Sequence, residues 1–147
     1  MNYDQKTRLK NSVEVRAEAE NFAREKPIYS LGEFKRLDTE SVKKLRSFLQ
    51  VLTDDRVRMI FFFPPYHPAV YETMRQSPEY RMVDQAEQAF KEIANEMNIL
   101  MLGSYNPANL GLKDSDFYDG MHMRNESLTQ FFKNHLTAET IAGLSNA

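Results

Sequence analysis

Apolar positions along the chain change their spacing several times, and each change marks an element. From about Asp4 to Lys26 the chain is charge-rich and helix-prone, with sparse apolar residues at Leu9, Val13, Ala17 and Phe22. This predicts a solvated helix that packs one thin stripe and stops at Pro27, because a proline steers the residue before it away from the helical region. The same stripe also suits a helix made to pack on a partner or a neighbouring segment. Asp38 or Thr39 then offers an N-cap, and Val42, Leu45, Leu49 and Leu52 recur at helical spacing. Lys43, Lys44, Arg46 and Gln50 take the wet side, and Asp54-Asp55 ends the pattern.

The period is lost in Val57–Phe63, a short β-prone run that is continuously apolar from Met59. Such runs suit a strand covered on both faces, as in a parallel sheet between helices. Pro64-Pro65 stops it, since proline donates no ladder hydrogen bond. Helices are predicted from about Ala69 and from Pro78, the latter with Ser77 as N-cap. Met82, Ala86, Phe90, Ile93 and Met97 share one face of that helix. Ile99–Leu102 reads as a second short buried strand ending at Gly103. A loop from Ser104 to Met123 follows, long enough to suggest function. A last helix is expected from Asn125 to Asn134 with Leu128, Phe131 and Phe132 inward, then a frayed tail over 137–147. The order α, α, β, α, α, β, loop, α predicts a parallel α/β sheet. Only two strands are convincing, fewer than the four or more of an ordinary doubly wound sheet.

The chain has 147 residues, 41% hydrophobic and 27% charged, which fits one globular domain spanning the chain, with residues 1–30 as a helical extension. A net charge of -2 leaves no electrostatic footprint for nucleic acid. No apolar run approaches the roughly 18 residues of a membrane span, and the N-terminus lacks the apolar core of a signal peptide. With no cysteine, thiolate catalysis, disulfides and zinc–thiolate sites are excluded.

Two segments lie beyond the strands' carboxyl ends, where open α/β sheets place their sites. One is Pro64-Pro65-Tyr66-His67-Pro68; the other is the loop from Gly103 to His122. In Asp119-Gly120-Met121-His122 a short turn lets the aspartate accept from Nδ1–H of the histidine, leaving Nε2 to take a proton from a hydroxyl. Ordinary structural uses stand beside each candidate: His122 can cap or pack near the last helix, His67 can be a turn residue, and His135 suits a helix C-terminus. Asp114, Asp116 and Asp119 do not match a calcium loop, because Gly120 comes one residue late, and no metal or other cofactor is expected.

The succession strand, Pro-Pro-Tyr-His-Pro, helix, strand, Asp-Gly-Met-His, helix resembles the C-terminal half of an SGNH-type (GDSL-like) hydrolase or acyltransferase. The branch with DltD-like or alginate-acetyltransferase-like domains is the nearest in pattern. The resemblance covers roughly Gly32 to Leu136 and matches Asp119 and His122 to the family's last block, Asp-x-x-His. It implies a three-layer α/β/α fragment with a flavodoxin-like, SGNH-like second half. It also implies an acyl ester of a carbohydrate or cell-surface molecule as substrate, often in the periplasm or at the cell surface. His122 is then general base and acid and Asp119 its orienting partner. Tyr66 and His67 line the substrate mouth, and Tyr105 and Asn106 donate hydrogen bonds there. The chain departs from the family in one respect that matters: it has no Gly-Asp-Ser nucleophile block and no Gly-x-Asn-Asp block. Gly103-Ser104 follows a strand but comes in the wrong order for a nucleophile. The expectation is an incomplete site that needs a complementing N-terminal segment, or else a non-catalytic interaction domain that forms homo-oligomers or binds a partner through its uncovered sheet.

Overall fold

A computed structural model describes residues 9–25 and 28–143. The expected start at Asp4, the stop at Pro27 and the last four residues of the tail lie outside the described residues. Helix α1 (Ser12–Arg24) opens on a capping box in which the Asn11 side chain accepts from the Val13 and Glu14 N–H groups and Glu14 returns a bond to the Asn11 N–H. The expected packing stripe is displaced. Leu9 and Val13 are 80% and 74% exposed, whereas Val15, Ala19 and Ala23 are buried. Two of those three are alanines, too small to register as a hydrophobic stripe, yet small enough to bring α1 close to its neighbour. Ala19 and Ala23 join Ile28, Val70, Met74, Tyr80 and Val83 in one core cluster.

Helix α2 (Thr39–Asp54) starts as predicted, with the Asp38 carboxylate accepting the Ser41 N–H at 2.9 Å. Its Val42, Leu45 and Leu49 pack with Ile93, Ala94, Ile99, Phe61 and Met101 in a second cluster. Strands β1 (Ile60–Phe63) and β2 (Leu100–Gly103) pair in parallel, Ile60 opposite Leu100 and Phe63 opposite Gly103. Among the described residues they form the whole sheet. The strands are less covered than their continuous apolar runs predict, and Ile60 is 39% exposed. A two-stranded sheet leaves two open edges, so its flanks cannot be sealed. Alternation separates the side chains: Phe61 meets Phe90 at 6.3 Å, and Phe62 meets Phe131 and Phe132 at 5.8 and 5.0 Å. Gly103 is required where β2 ends, because a Cβ there would lie 2.3 Å from the Phe63 carbonyl oxygen and φ is +83°.

Between the strands run α3 (Pro68–Gln76), a 3₁₀ turn over Pro78–Tyr80 and α4 (Arg81–Glu96). The α-helix therefore begins three residues after Pro78, and the Ser77 hydroxyl makes no capping bond. The turn is held instead by Tyr80, 2% exposed, whose hydroxyl accepts the Ile28 N–H at 3.1 Å. The last described elements are α5 (Asn125–His135), close to its predicted limits, and α6 (Ala138–Gly143). In the region where a frayed tail is expected, α6 is preceded by Thr137, whose hydroxyl accepts the Thr140 N–H at 3.2 Å. No helix among the described residues is long and apolar enough to cross a membrane.

Candidate functional site

The loop after β2 is not irregular. It contains 3₁₀ turns over Pro107–Leu110 and Asp114–Asp116 and then a tight hairpin closed by an antiparallel bridge between Phe117 and Met123. The Tyr118 N–H donates to the His122 carbonyl at 2.8 Å, so Asp119 to His122 form the tip. There Asp119 Oδ1 accepts the Met121 and His122 N–H groups, both at 2.9 Å, the self-bonding turn that aspartate favours. That turn brings the carboxylate to the ring: His122 Nδ1 lies 2.9 Å from Oδ2 and 3.0 Å from Oδ1. Burial pushes the Asp119 carboxyl up, but bonds from the Met121 N–H, the His122 ring and the His122 N–H outweigh it and hold the carboxyl below its ordinary value. The His122 and Asp119 side chains keep 39% and 31% of their surface exposed. A carboxylate-oriented imidazole in partial contact with solvent is the arrangement that moves protons in acyl transfer.

Three tyrosines lie on the segments near this tip. The Tyr66 N–H donates to the Tyr105 carbonyl at 3.1 Å, and the two rings meet edge-to-face at 5.8 Å. Both are half-buried. Burial, and then the Tyr105 phenol, push the Tyr66 hydroxyl up to about 12. Tyr29, absent from the sequence-based candidates, is likewise pushed to about 12 by burial and then by the Asp119 charge and Tyr66. Its hydroxyl lies 3.1 Å from where a Cβ on Gly120 would sit. Tyr29 was invisible to pattern reading because it reaches the tip from a 3₁₀ turn some 90 positions earlier in the chain.

One expected mouth residue, His67, is placed inside the protein. His67 is 0% exposed: its Nδ1 accepts the Ala69 N–H at 3.1 Å and so caps α3, and its ring packs edge-on against Phe117 at 5.3 Å. A ring sealed between a helix start and a hairpin touches no substrate. Asn106 caps the Pro107–Leu110 turn through Oδ1, which accepts the Ala108 N–H at 3.0 Å. Its Nδ2 lies 3.5 Å from Asn109 Oδ1, and the residue is half-buried.

Ser104 is 4% exposed and its hydroxyl donates to Glu87 Oε1 at 2.9 Å. It also accepts from the Asn106 N–H at 3.2 Å and from Asn109 Nδ2 at 3.1 Å. A hydroxyl so committed is a structural pin and not a nucleophile served by His122. Glu87, 6% exposed, is the second residue that pattern reading missed. It accepts the Tyr105 N–H at 3.2 Å and pairs with Lys91 at 2.7 Å, anchoring the start of the loop to α4. The available signal was a carboxylate in line with Val83 and Phe90 on the apolar face of that helix. The other loop aspartates are similarly spent, Asp114 on Arg16 at 3.1 Å and Asp116 on Ser127 at 2.7 Å. Comparison with protein-family models, with curated proteins and with solved structures gave no match, so the reading of this site rests on its geometry.

Proposed function

We propose that the chain supplies the proton-transfer half of an SGNH-like acyl hydrolase or O-acyltransferase, acting on an acyl ester of a carbohydrate or cell-surface molecule. In this reading the fold is the second half of a three-layer α/β/α domain, and the nucleophilic serine comes from a separate N-terminal segment. The observation that carries it is the Asp119 carboxylate set against His122 Nδ1 at 2.9 Å on a hairpin tip at the carboxyl end of the sheet. His122 takes the proton of the incoming serine hydroxyl as its oxygen attacks the acyl carbon. It then returns that proton to the departing alkoxide, while Asp119 stabilises the imidazolium formed between the two steps. Tyr29, which borders the tip, and Tyr66 and Tyr105 on the adjoining loop starts offer phenol groups and ring surface to the substrate.

The test starts with the DNA upstream of this coding sequence and in the neighbouring gene. One of them is expected to encode a Gly-Asp-Ser block after a predicted strand. Co-expressing that segment with this chain should create a serine reactive toward a fluorophosphonate, with labelling at least a hundredfold slower in His122→Ala. Equal labelling of the variant, or the absence of any such segment, removes the reading.

A second reading, a non-catalytic domain that self-associates or binds a partner chain, is favoured by one observation. Phe48 and Val51 on α2 are 59% and 55% exposed, and Val57 and Ile60 beside the open sheet are 46% and 39% exposed. Sedimentation decides it: a dimer or larger species broken by Phe48→Lys with Val51→Lys supports this reading, and a monomer at high concentration counts against it.

A further inference from the structure

His67 is fully buried and is held on several sides. Its backbone N–H donates to the Gly120 carbonyl at 3.0 Å, directly beside Asp119. Its Nδ1 accepts the Ala69 N–H and starts α3. Its ring packs on Phe117 in the arm of the hairpin. Its Nε2 faces Asp114 Oδ1 at 3.4 Å, within ion-pair range, yet among the described residues that nitrogen has no hydrogen-bond partner. Asp114 is held in turn by Arg16 of α1, which also binds Glu20 at 2.8 Å. His67 therefore joins the start of α3 to the loop that carries Asp119 and His122, through its backbone N–H and its ring, with Asp114 and Arg16 of α1 beside Nε2.

The protonation state follows from the bonds. A nitrogen that accepts an N–H carries no proton, so the single proton of the neutral ring sits on Nε2, facing Asp114. A second proton can go only to Nδ1, where it would oppose the Ala69 N–H, donor against donor. We infer that His67 is a positioning residue for the Asp119–His122 pair, and that protonating its ring breaks the helix cap and releases the hairpin tip. The charged groups facing the ring are Asp114 and Asp119 from the loop and Arg16 and Glu20 from α1. Burial lowers the tendency of the ring to charge, Asp114 opposes this, Arg16 adds to it, and Asp119 and Glu20 oppose it more weakly; the balance holds His67 below its ordinary value of 6.5. The unfolded chain then takes up this proton at higher pH than the folded one. The stability it confers is complete above the ordinary imidazole range and declines as the pH falls from there toward the lower folded-state value. The consequence for chemistry rests on the acyl-transfer reading; the joint does not, and the experiment reads the joint.

The full chain, labelled with ¹⁵N and ¹³C, is titrated from pH 7.5 to 4.5 while the three histidine rings, the Ala69 amide and the Gly120 carbonyl carbon are followed by NMR. His67 is expected to show the Nε2–H tautomer at pH 7.5 and to stay neutral below the ordinary imidazole range. On protonation, the Ala69 and Gly120 signals should move in the same transition. In His67→Asn, whose Oδ1 can cap α3 but cannot titrate, those two signals should stay constant from pH 7.5 to 5. An Nδ1–H tautomer overturns the inference, as does titration in the ordinary range with Ala69 and Gly120 unmoved, or a transition that persists in His67→Asn. Where that variant does not fold, the wild-type titration decides alone. A joint that behaves as expected beside a chain that gains no reactive serine would separate this inference from the acyl-transfer reading.

Discussion

Tyr66 and Tyr105 each leave the carboxyl end of a strand, and the N–H of the first is bonded to the carbonyl of the second at 3.1 Å. This one bond extends the pairing of β1 and β2 past Pro64-Pro65, where prolines can donate nothing, and brings the two loops of the candidate site side by side. What lies behind Tyr105 is Glu87, and what lies behind Tyr66 is His67, so the site is braced from both strands.

Removing the brace behind Tyr105 should be expensive. Glu87→Ala strips the acceptor from the Ser104 hydroxyl and the Tyr105 N–H and leaves Lys91 without its partner. Lys91 is 36% exposed and can turn to water, so the expected loss is about 2 kcal/mol rather than the larger cost of an orphaned buried charge. Urea unfolding of the variant measures it.

Ser104 is expected to behave as structure. The isolated chain should not be labelled by a fluorophosphonate and should hydrolyse p-nitrophenyl acetate no faster than free imidazole. Ser104→Ala should lower stability by about 1 kcal/mol. Stoichiometric labelling that disappears in Ser104→Ala would show a complete serine site inside this chain and would reverse the assignment.

Two glycines with positive φ should respond differently to alanine. At Gly103 a Cβ collides with the Phe63 carbonyl at 2.3 Å, backbone against backbone, whereas at Gly111 it meets nothing within 4 Å. Gly111→Ala should cost about 1 kcal/mol for its left-handed backbone alone. Gly103→Ala should cost at least twice that, with the loss of the last β1–β2 pair visible in amide exchange.

The face that α1 buries can be read by a pair of substitutions. Val15→Ala removes two methyl groups from a fully buried site and should cost about 2 kcal/mol. Val13→Ala, at a position 74% exposed, should change unfolding by less than about 0.5 kcal/mol. The reverse order would restore the stripe that the large apolar residues suggest.

Acid should act on Asp119. Its carboxyl is held below the ordinary carboxylate value of 3.8 in the folded protein, so its contribution is present above that value and is lost as the pH falls through the lower folded-state value. Asp119→Asn keeps an oxygen for the Met121 and His122 N–H groups but does not ionise. Its unfolding free energy should therefore fall less steeply than that of the wild type between pH 5 and pH 3, in parallel urea titrations.

Read alone, the amino-acid sequence determines the order of elements from α1 to α5, an N-cap at Asp38 or Thr39, the Val42–Leu45–Leu49 stripe, the parallel pair of strands and the opposition of Asp119 to His122. All but the strand pairing are local: a cap, a helical period or a three-residue turn is decided by neighbours a few bonds away, and parallel pairing follows from the helices between the strands. Tertiary structure alone decides which face α1 buries, that His67 lies inside, that the Ser104 proton belongs to Glu87 and that Tyr29 borders the hairpin tip. These depend on segments meeting across 17 residues for Ser104 and Glu87, 52 for Ile28 and Tyr80, and 98 for Arg16 and Asp114. Hydrophobic periodicity says that a face will be covered but not by what, and a polar side chain carries no mark of its partner until packing has excluded water from both.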